Sequence, residues 1–263
     1  MSDHVMNLTI LQLAVAYLFV LLLLLVFRKR GIRREKQILI ATTRMTVQLT
    51  LMGYVLMYVF HEPSWWLTTF MVVIMVAFAI YNSWKRNKEP LSKDLKTIMA
   101  GSLIIGSLLI AGMFLILILR VRPWYNPQYF IPITGMIVGN AMTGISLGAN
   151  KLCWEMKAQQ IEIENSLMLG AEPKDAVHQI VNDAFDSAIL PTMNNMLTMG
   201  IVSLPGMMTG QILSGTIPLT AIRYQIGIML AILGSTTLTV VIFVVFGART
   251  FFTKEKQLKE RSE

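Results

Sequence analysis

The sequence predicts an all-α fold, a polytopic bundle of membrane helices, and three observations carry that prediction. Hydrophobic residues fill 54% of the 263 positions and charged residues only 14%. The charges are bunched into short segments between apolar runs too long for ordinary core helices. Several of those runs reach the roughly 20 residues that a helix needs to cross a hydrocarbon core about 30 Å thick. Residues 1–263 read as one transmembrane domain, and a soluble enzyme is excluded.

The expected spans fall at about 5–27, 38–60, 65–84, 98–119, 128–150, 189–213 and 219–246, about seven in all. The first is longer than a signal-peptide core and runs into "RKRGIRREK" where a small-residue cleavage site would stand, so it is expected to be retained. An odd number of spans puts the termini on opposite sides. Nineteen Lys and Arg lie in 28–36, 85–96, 151–188 and 247–263, against two in the segments of the other side. The positive-inside rule then places the N-terminus outside and the C-terminus in the cytoplasm of a cell-membrane protein. Trp65, Trp66, Trp124 and Tyr125 fall at the expected outer boundary as an aromatic belt would.

The net charge of +8 sits in these connecting segments and serves orientation, so no nucleic-acid partner is expected; the expected surroundings are lipid. The single cysteine, Cys153, excludes an intramolecular disulfide and a multi-cysteine metal cage.

The long hydrophilic segment 151–188 lies between the fifth and sixth spans. Pro173 suits the first turn of a helix, where its missing N–H is not needed. Val177, Ile180, Val181, Ala184, Phe185, Ala188 and Ile189 then make one apolar stripe, while Asp175, His178, Gln179, Asn182, Asp183 and Asp186 occupy the other face. Helices that lie on lipid usually offer Lys and Arg to the headgroups, whereas this polar face is acidic. It is better suited to a protein partner than to a membrane surface, with a merely solvated helix as the plain alternative.

Two segments share the pattern G-M-x-x-G with a proline just upstream: Pro132 before Gly135 and Gly139, and Pro205 before Gly206 and Gly210. Prolines loosen a helix, and glycines four apart let a second helix come close. These segments are expected to be packing surfaces or a gate. Asn140, Gln211, Asn194 and Asn195 are candidates to line a translocation path, as are Arg44 and Gln48, one turn apart on one face of the second span. Interfacial snorkelling is the competing role for Arg44 and for Arg223. Of the nineteen methionines most suit packing, and Met136, Met207 and Met208, beside the glycines, stand out as candidate soft ligands. Whether any methionine binds metal stays open at this stage.

No phosphate-binding G-x-x-x-x-G-K-[ST] motif occurs, and the confident spans carry no buried acid of the kind ion-coupled carriers use. An external motor gripping the acidic helix is the economical source of energy.

Three strings bring a family into view: "IPITGMIVGNAM" (131–142), "LGAEPKDA" (169–176), and "GIVSLPGMMTGQILSG" (200–215) followed by "AIRYQI" (221–226). Over nearly the whole chain the sequence resembles the FetB-like iron-export permeases of bacteria, whose plant relatives are linked to aluminium tolerance. The resemblance implies the membrane subunit of an ABC-type exporter, present in two copies with two copies of a cytoplasmic ATPase. No cofactor is expected on this chain itself, ATP and Mg being held by the ATPase. The segment also resembles the loop by which ABC importers engage their ATPases, where a glutamate precedes a glycine by six as Glu164 precedes Gly170. It departs from that motif at Asn165-Ser166 and at Ile189-Leu190-Pro191. Glu164, Gly170, Ala171, Glu172, Pro173 and Asp175 are thus implied in coupling.

The residues do not demand iron as cargo, since His and carboxylates are missing from the spans. Export of a small organic, nucleotide-sugar or amphiphilic substrate, and a non-transporting scaffold that recruits an ATPase, stay open at this stage.

Overall fold

A computed structural model describes residues 9–87, 89–253 and 255–259. The expected start of the first span, from residue 5, and the last charges of the C-terminal segment lie outside them. Ten α-helices occur among the described residues: α1 (Ile10–Arg30), α2 (Glu35–His61), α3 (Trp65–Arg86), α4 (Lys93–Met113), α5 (Pro127–Ala158), α6 (Gln160–Met168), α7 (Pro173–Ala176), α8 (His178–Thr198), α9 (Gly206–Leu213) and α10 (Pro218–Arg249). A single π-helical turn, Phe114–Ile118, prolongs α4.

Local chemistry sets several of these boundaries. Thr9 and Gln12 form a reciprocal capping box at the start of α1, and Gly31 closes it in the left-handed region at φ 68°. Ser92 accepts the Leu95 N–H at 3.2 Å to start α4. Asn126 accepts the Gln128 N–H at 3.1 Å to start α5. Pro127 and Pro218 then occupy first turns, where no donor is missed.

Contacts fix the direction of each helix. Leu95 lies against Gly247 and Phe114 against Gly227, so α4 and α10 are antiparallel. Thr236 faces Gly144 and Val240 faces Gly148, so α5 and α10 run the same way. Ala184 and Ala188 both abut Gly148, and Ala188 also abuts Gly144, which sets α8 against the direction of α5. The Thr68 hydroxyl donates to the Tyr125 carbonyl at 3.0 Å and the Asn150 amide donates to the Arg86 carbonyl at 3.4 Å, aligning α3 with α5.

These directions have a consequence for the chain between α5 and α10. Since α5 and α10 start at the same end of the bundle, residues 159–217 must carry the chain back across it. They do so in pieces. Six helices, α1 to α5 and α10, with α4 taken through its π turn, are long and apolar enough to cross a membrane. The span expected at 189–213 is not a continuous helix: α8 stops at Thr198, the chain turns through 199–205, and α9 restarts at Gly206. Gly200, at φ 88°, turns the backbone there, and its N–H donates to the Ser203 carbonyl at 2.9 Å. Pro205 stands immediately before α9, where it cannot continue a helix ladder.

The basic ends of α1, α3, α5 and α10 and the basic start of α4 gather at one end of the bundle. Trp65 and Trp66 at 5.8 Å, and Trp124 and Tyr125 at 5.7 Å, lie at the other. The main core joins Leu95, Met99 and Leu103 of α4, Ile145 and Leu152 of α5, Ile180 and Ala184 of α8, and Phe243 of α10. By contrast α1 buries no residue and α2 only Val59. Helices so apolar and so exposed are stable only in lipid or against another protein.

Candidate functional site

The basic end carries a projecting knob made of α6, α7 and the start of α8. The turn between α6 and α7 is closed by the Gly170 N–H to Leu167 and the Ala171 N–H to Ser166, both at 3.0 Å, with Gly170 at φ 93°. This turn pushes two apolar side chains into the open: Met168 is 82% exposed and Leu169 is 89% exposed. Glu164 sits on α6 and accepts a hydrogen bond from Gln160 at 2.8 Å. Glu172 and Pro173 begin α7, and Asp175 is exposed on it.

The apolar stripe expected on this segment exists but points inward. Val177, Ile180, Ala184, Ala188 and Ile189 are buried, most of them in the main core. What the knob offers outward is the Met168-Leu169 tip together with the acidic and polar face of α7 and early α8. Behind the tip the C-terminal segment folds back, and Lys256 pairs with Glu172 at 3.2 Å. A cavity of about 420 Å³ opens between them, lined by Glu172, Val177, Val181, Arg249 and Lys256 among others.

Two open grooves run along the helix surfaces. One, of about 570 Å³, is bounded by α2, α3 and α5 and brings Arg44 and Gln48 together with Asn82 and Arg86. Its Arg44 guanidinium sits 5.4 Å from the centre of the Phe78 ring. The other, of about 420 Å³, lies where α8 breaks and α9 restarts against α10; Met196, Met199, Met208 and Met229 line it with Gln225.

The remaining candidates are dispersed. Asn140 spends its amide on the Met136 carbonyl of its own helix at 2.8 Å. Met136 and Met207 pack against the second apolar core, which contains Phe114, Ile133, Ile137 and Ile228. Asn194 and Asn195 are exposed on α8, and the Gln211 Oε1 is buried with no hydrogen-bond partner.

The two glycine motifs lie mostly in open space within the single chain. A Cβ on Gly139, Gly206 or Gly210 would meet nothing within 4 Å, and one on Gly135 would meet only the terminal methyl of Met75. Within this chain, Gly139, Gly206 and Gly210 do not seat a neighbouring helix, and Gly135 meets only the end of one flexible side chain of α3. The glycines packed most tightly against another helix are Gly106 and Gly144, with Gly148, Gly227 and Gly247 also in close contact. Pro132 lies inside α5, which runs through it unbroken, whereas Pro205 marks the actual break. The small-xxx-small string "GISLG" at 144–148 is the sequence signal of the contact at Gly144 and Gly148, and no proline stands just upstream of it. Likewise the spacing of Met196 with Met199 and of Gln225 with Met229 is that of one helix face.

The fold and these sites define a multi-pass helical membrane protein. Residues 10–252 match the family described as Uncharacterised protein family (UPF0014), and the chain belongs to it. It is 36% identical over 259 residues to the Probable iron export permease protein FetB of Escherichia coli, covering 98% of this chain and 97% of that one. It is also 36% identical to the UPF0014 membrane protein YjkA of Bacillus subtilis, over 95% of this chain and 98% of that one. Among plants it is 34% identical to Protein ALUMINUM SENSITIVE 3 of Arabidopsis thaliana, over 94% of this chain and 88% of that one. No solved structure matches.

Proposed function

We propose that this chain is the membrane-spanning permease subunit of an ABC-type exporter, driven by a separate cytoplasmic ATPase that grips the knob. The observation that carries the reading is the Met168-Leu169 tip. Two large apolar side chains stand exposed at the end of the bundle, outside the helices long enough to span, and a protein partner covers such side chains at least cost. The basic residues gathered at the same end support a cytoplasmic placement by the positive-inside rule. A bacterial relative over the full length carries the name of an iron export permease. That name supports export and a metal cargo.

The mechanism follows from the packing. ATP and Mg are bound by the partner, and closure of paired ATPases moves the knob. Its motion passes into α8, whose Ala184 and Ala188 are seated on Gly144 and Gly148 of α5. The break at 199–205 lets the outer part of the crossing respond separately, giving two states of access. Asn194 and Asn195 are exposed on the α8 surface, and amides at membrane depth need water or protein around them. A second copy of the chain facing this surface would supply both, with the path between the copies.

The test is capture of the tagged full-length chain from its native membrane in mild detergent, followed by assay of Mg-dependent ATP hydrolysis. Wild type is expected to bring down a nucleotide-hydrolysing subunit, and Leu169→Asp is expected to lose it while remaining monodisperse. Equal ATPase activity in both captures would overturn the docking assignment, and none in either would overturn the permease reading.

A further inference from the structure

The cavity at the α8 break has a lining unlike the other two. Four of its side chains are thioethers, Met196 from the end of α8, Met199 from the turn that follows it, Met208 from α9 and Met229 from α10. They come from α8, the turn that follows it, α9 and α10 around one open groove of about 420 Å³, so they are not merely neighbours along a single apolar stripe. Methionine buried as filler closes gaps. Here the methionines border a gap.

A second feature of the lining points the same way. Gln225 is only 6% exposed, and its Oε1 has no hydrogen-bond partner. This amide oxygen has lone pairs that neither a hydrogen-bond donor nor a cation satisfies within the chain. The rest of the wall is aliphatic, Leu204, Ile222, Ile226 and Leu230, and no charged side chain takes part.

We infer that Met196, Met199, Met208 and Met229, with the Gln225 amide oxygen, form a binding site for a soft monovalent cation, Cu(I) or Ag(I). Thioethers are neutral, polarisable donors that select soft ions, whereas hard or borderline divalent ions draw on imidazole and carboxylate. Among the described residues no group of three His, Cys, Asp or Glu side chains could hold a metal ion. A monovalent ion also suits a wall without anionic ligands, since its single charge needs less compensation in a low-dielectric site than a divalent charge does. The three rotatable bonds of each methionine let the sulfurs gather on an ion and release it as the break moves. Gly200, also on the wall, sits at the turn that joins α8 to α9, so opening that turn changes the donor set.

The ion's role as cargo rests on the permease reading, while the site itself does not. The experiment therefore reads binding on the purified full-length chain in nanodiscs, without any ATPase. Silver(I) is the probe, because it matches Cu(I) in charge and softness and undergoes no redox change. Wild type is expected to take up one silver ion per chain, with an X-ray absorption edge and scattering shell dominated by sulfur. The combined variant Met196→Leu, Met199→Leu, Met229→Leu keeps side-chain volume and is expected to bind silver at least about tenfold more weakly, as losses around metal sites do. Met52→Leu with Met57→Leu, on α2 and away from the cavity, is expected to bind as wild type does. Iron(II) is expected not to compete.

Should the combined variant fail to fold, the sulfur shell on wild type and the single variant Met229→Leu still decide the matter. A wild-type chain that takes up no silver, a shell of nitrogen and oxygen, equal binding by the combined variant, or displacement of silver by iron(II) would each overturn the site. Retention of an apolar molecule in the cavity with no silver bound would do the same. Loss of ATPase capture with silver binding intact would instead strike the permease reading alone.

Discussion

Gly106 of α4 and Thr239 of α10 bring two helix backbones into contact: a Cβ on Gly106 would stand 2.7 Å from the Thr239 nitrogen and 2.8 Å from its Cα. Neither atom can rotate aside, so relief requires one helix to move. Gly106→Ala is expected to cost about 1–3 kcal/mol, as overpacked cores do. Gly139→Ala, with nothing within 4 Å, is expected to be neutral or to stabilise by up to ~1 kcal/mol through helix propensity. Thermal unfolding of both variants in the same detergent checks the contrast, and equal shifts would contradict the contact.

The helices themselves were legible in the sequence because long apolar runs have few alternatives in a bilayer, and α1, α2, α3, α4, α5 and α10 stand where the runs do. The broken crossing was not. Hydropathy averaged over 189–213 sees one apolar segment, and only a backbone turn at Gly200 with the proline at 205 divides it. The same limit applies to the glycines. A spacing of four recurs at 135–139, 144–148 and 206–210, and only the arrival of α8 and α10 at Gly144 and Gly148 decides which pair is a contact. Arg44 and Gln48 lie one turn apart, a spacing that puts them on one helix face, and both border the groove between α2 and α3. The methionine cavity draws on three helices far apart in sequence, and no local pattern could assemble it.

The turn at Gly200 gives the next expectation. Its φ of 88° is one that side chains rarely adopt, so Gly200→Ala is expected to cost roughly 1–2 kcal/mol or to reshape the break. Gly206→Ala, at the start of α9 with open space around it, is expected to be tolerated. Transport by reconstituted vesicles should therefore fall in the first variant and persist in the second. The reverse order would move the hinge from the turn to the helix start.

Glu172 and Lys256 meet at 3.2 Å, but the side chains are 68% and 65% exposed. Such a pair adds at most about 1 kcal/mol. Lys256→Ala is accordingly expected to leave the unfolding midpoint nearly unchanged. Charge reversal separates two roles for Glu172. If it serves the proposed ATPase, Glu172→Lys weakens capture and Lys256→Glu does not restore it. If it only latches the C-terminal segment, the double reversal restores capture. We expect no restoration, because Glu172 stands three residues from the exposed tip at Leu169.

Arg44 and Arg86 face one cavity, and neither takes part in the three ion pairs found among the described residues. Stacking of Arg44 on Phe78 contributes only about 0.5–1 kcal/mol at an exposed site, too little to be the reason for a guanidinium within a span. If the side chain merely snorkels, a lysine serves equally, since its ammonium reaches the interface as well. If it lines a path through its planar fork of donors, lysine does not replace it. Arg44→Lys and Arg44→Gln are both expected to cut transport by about tenfold, the factor that ~1.4 kcal/mol of lost interaction gives. Neither is expected to alter expression or the thermal midpoint. Full transport by Arg44→Lys would assign the residue to the membrane interface and remove it from the path.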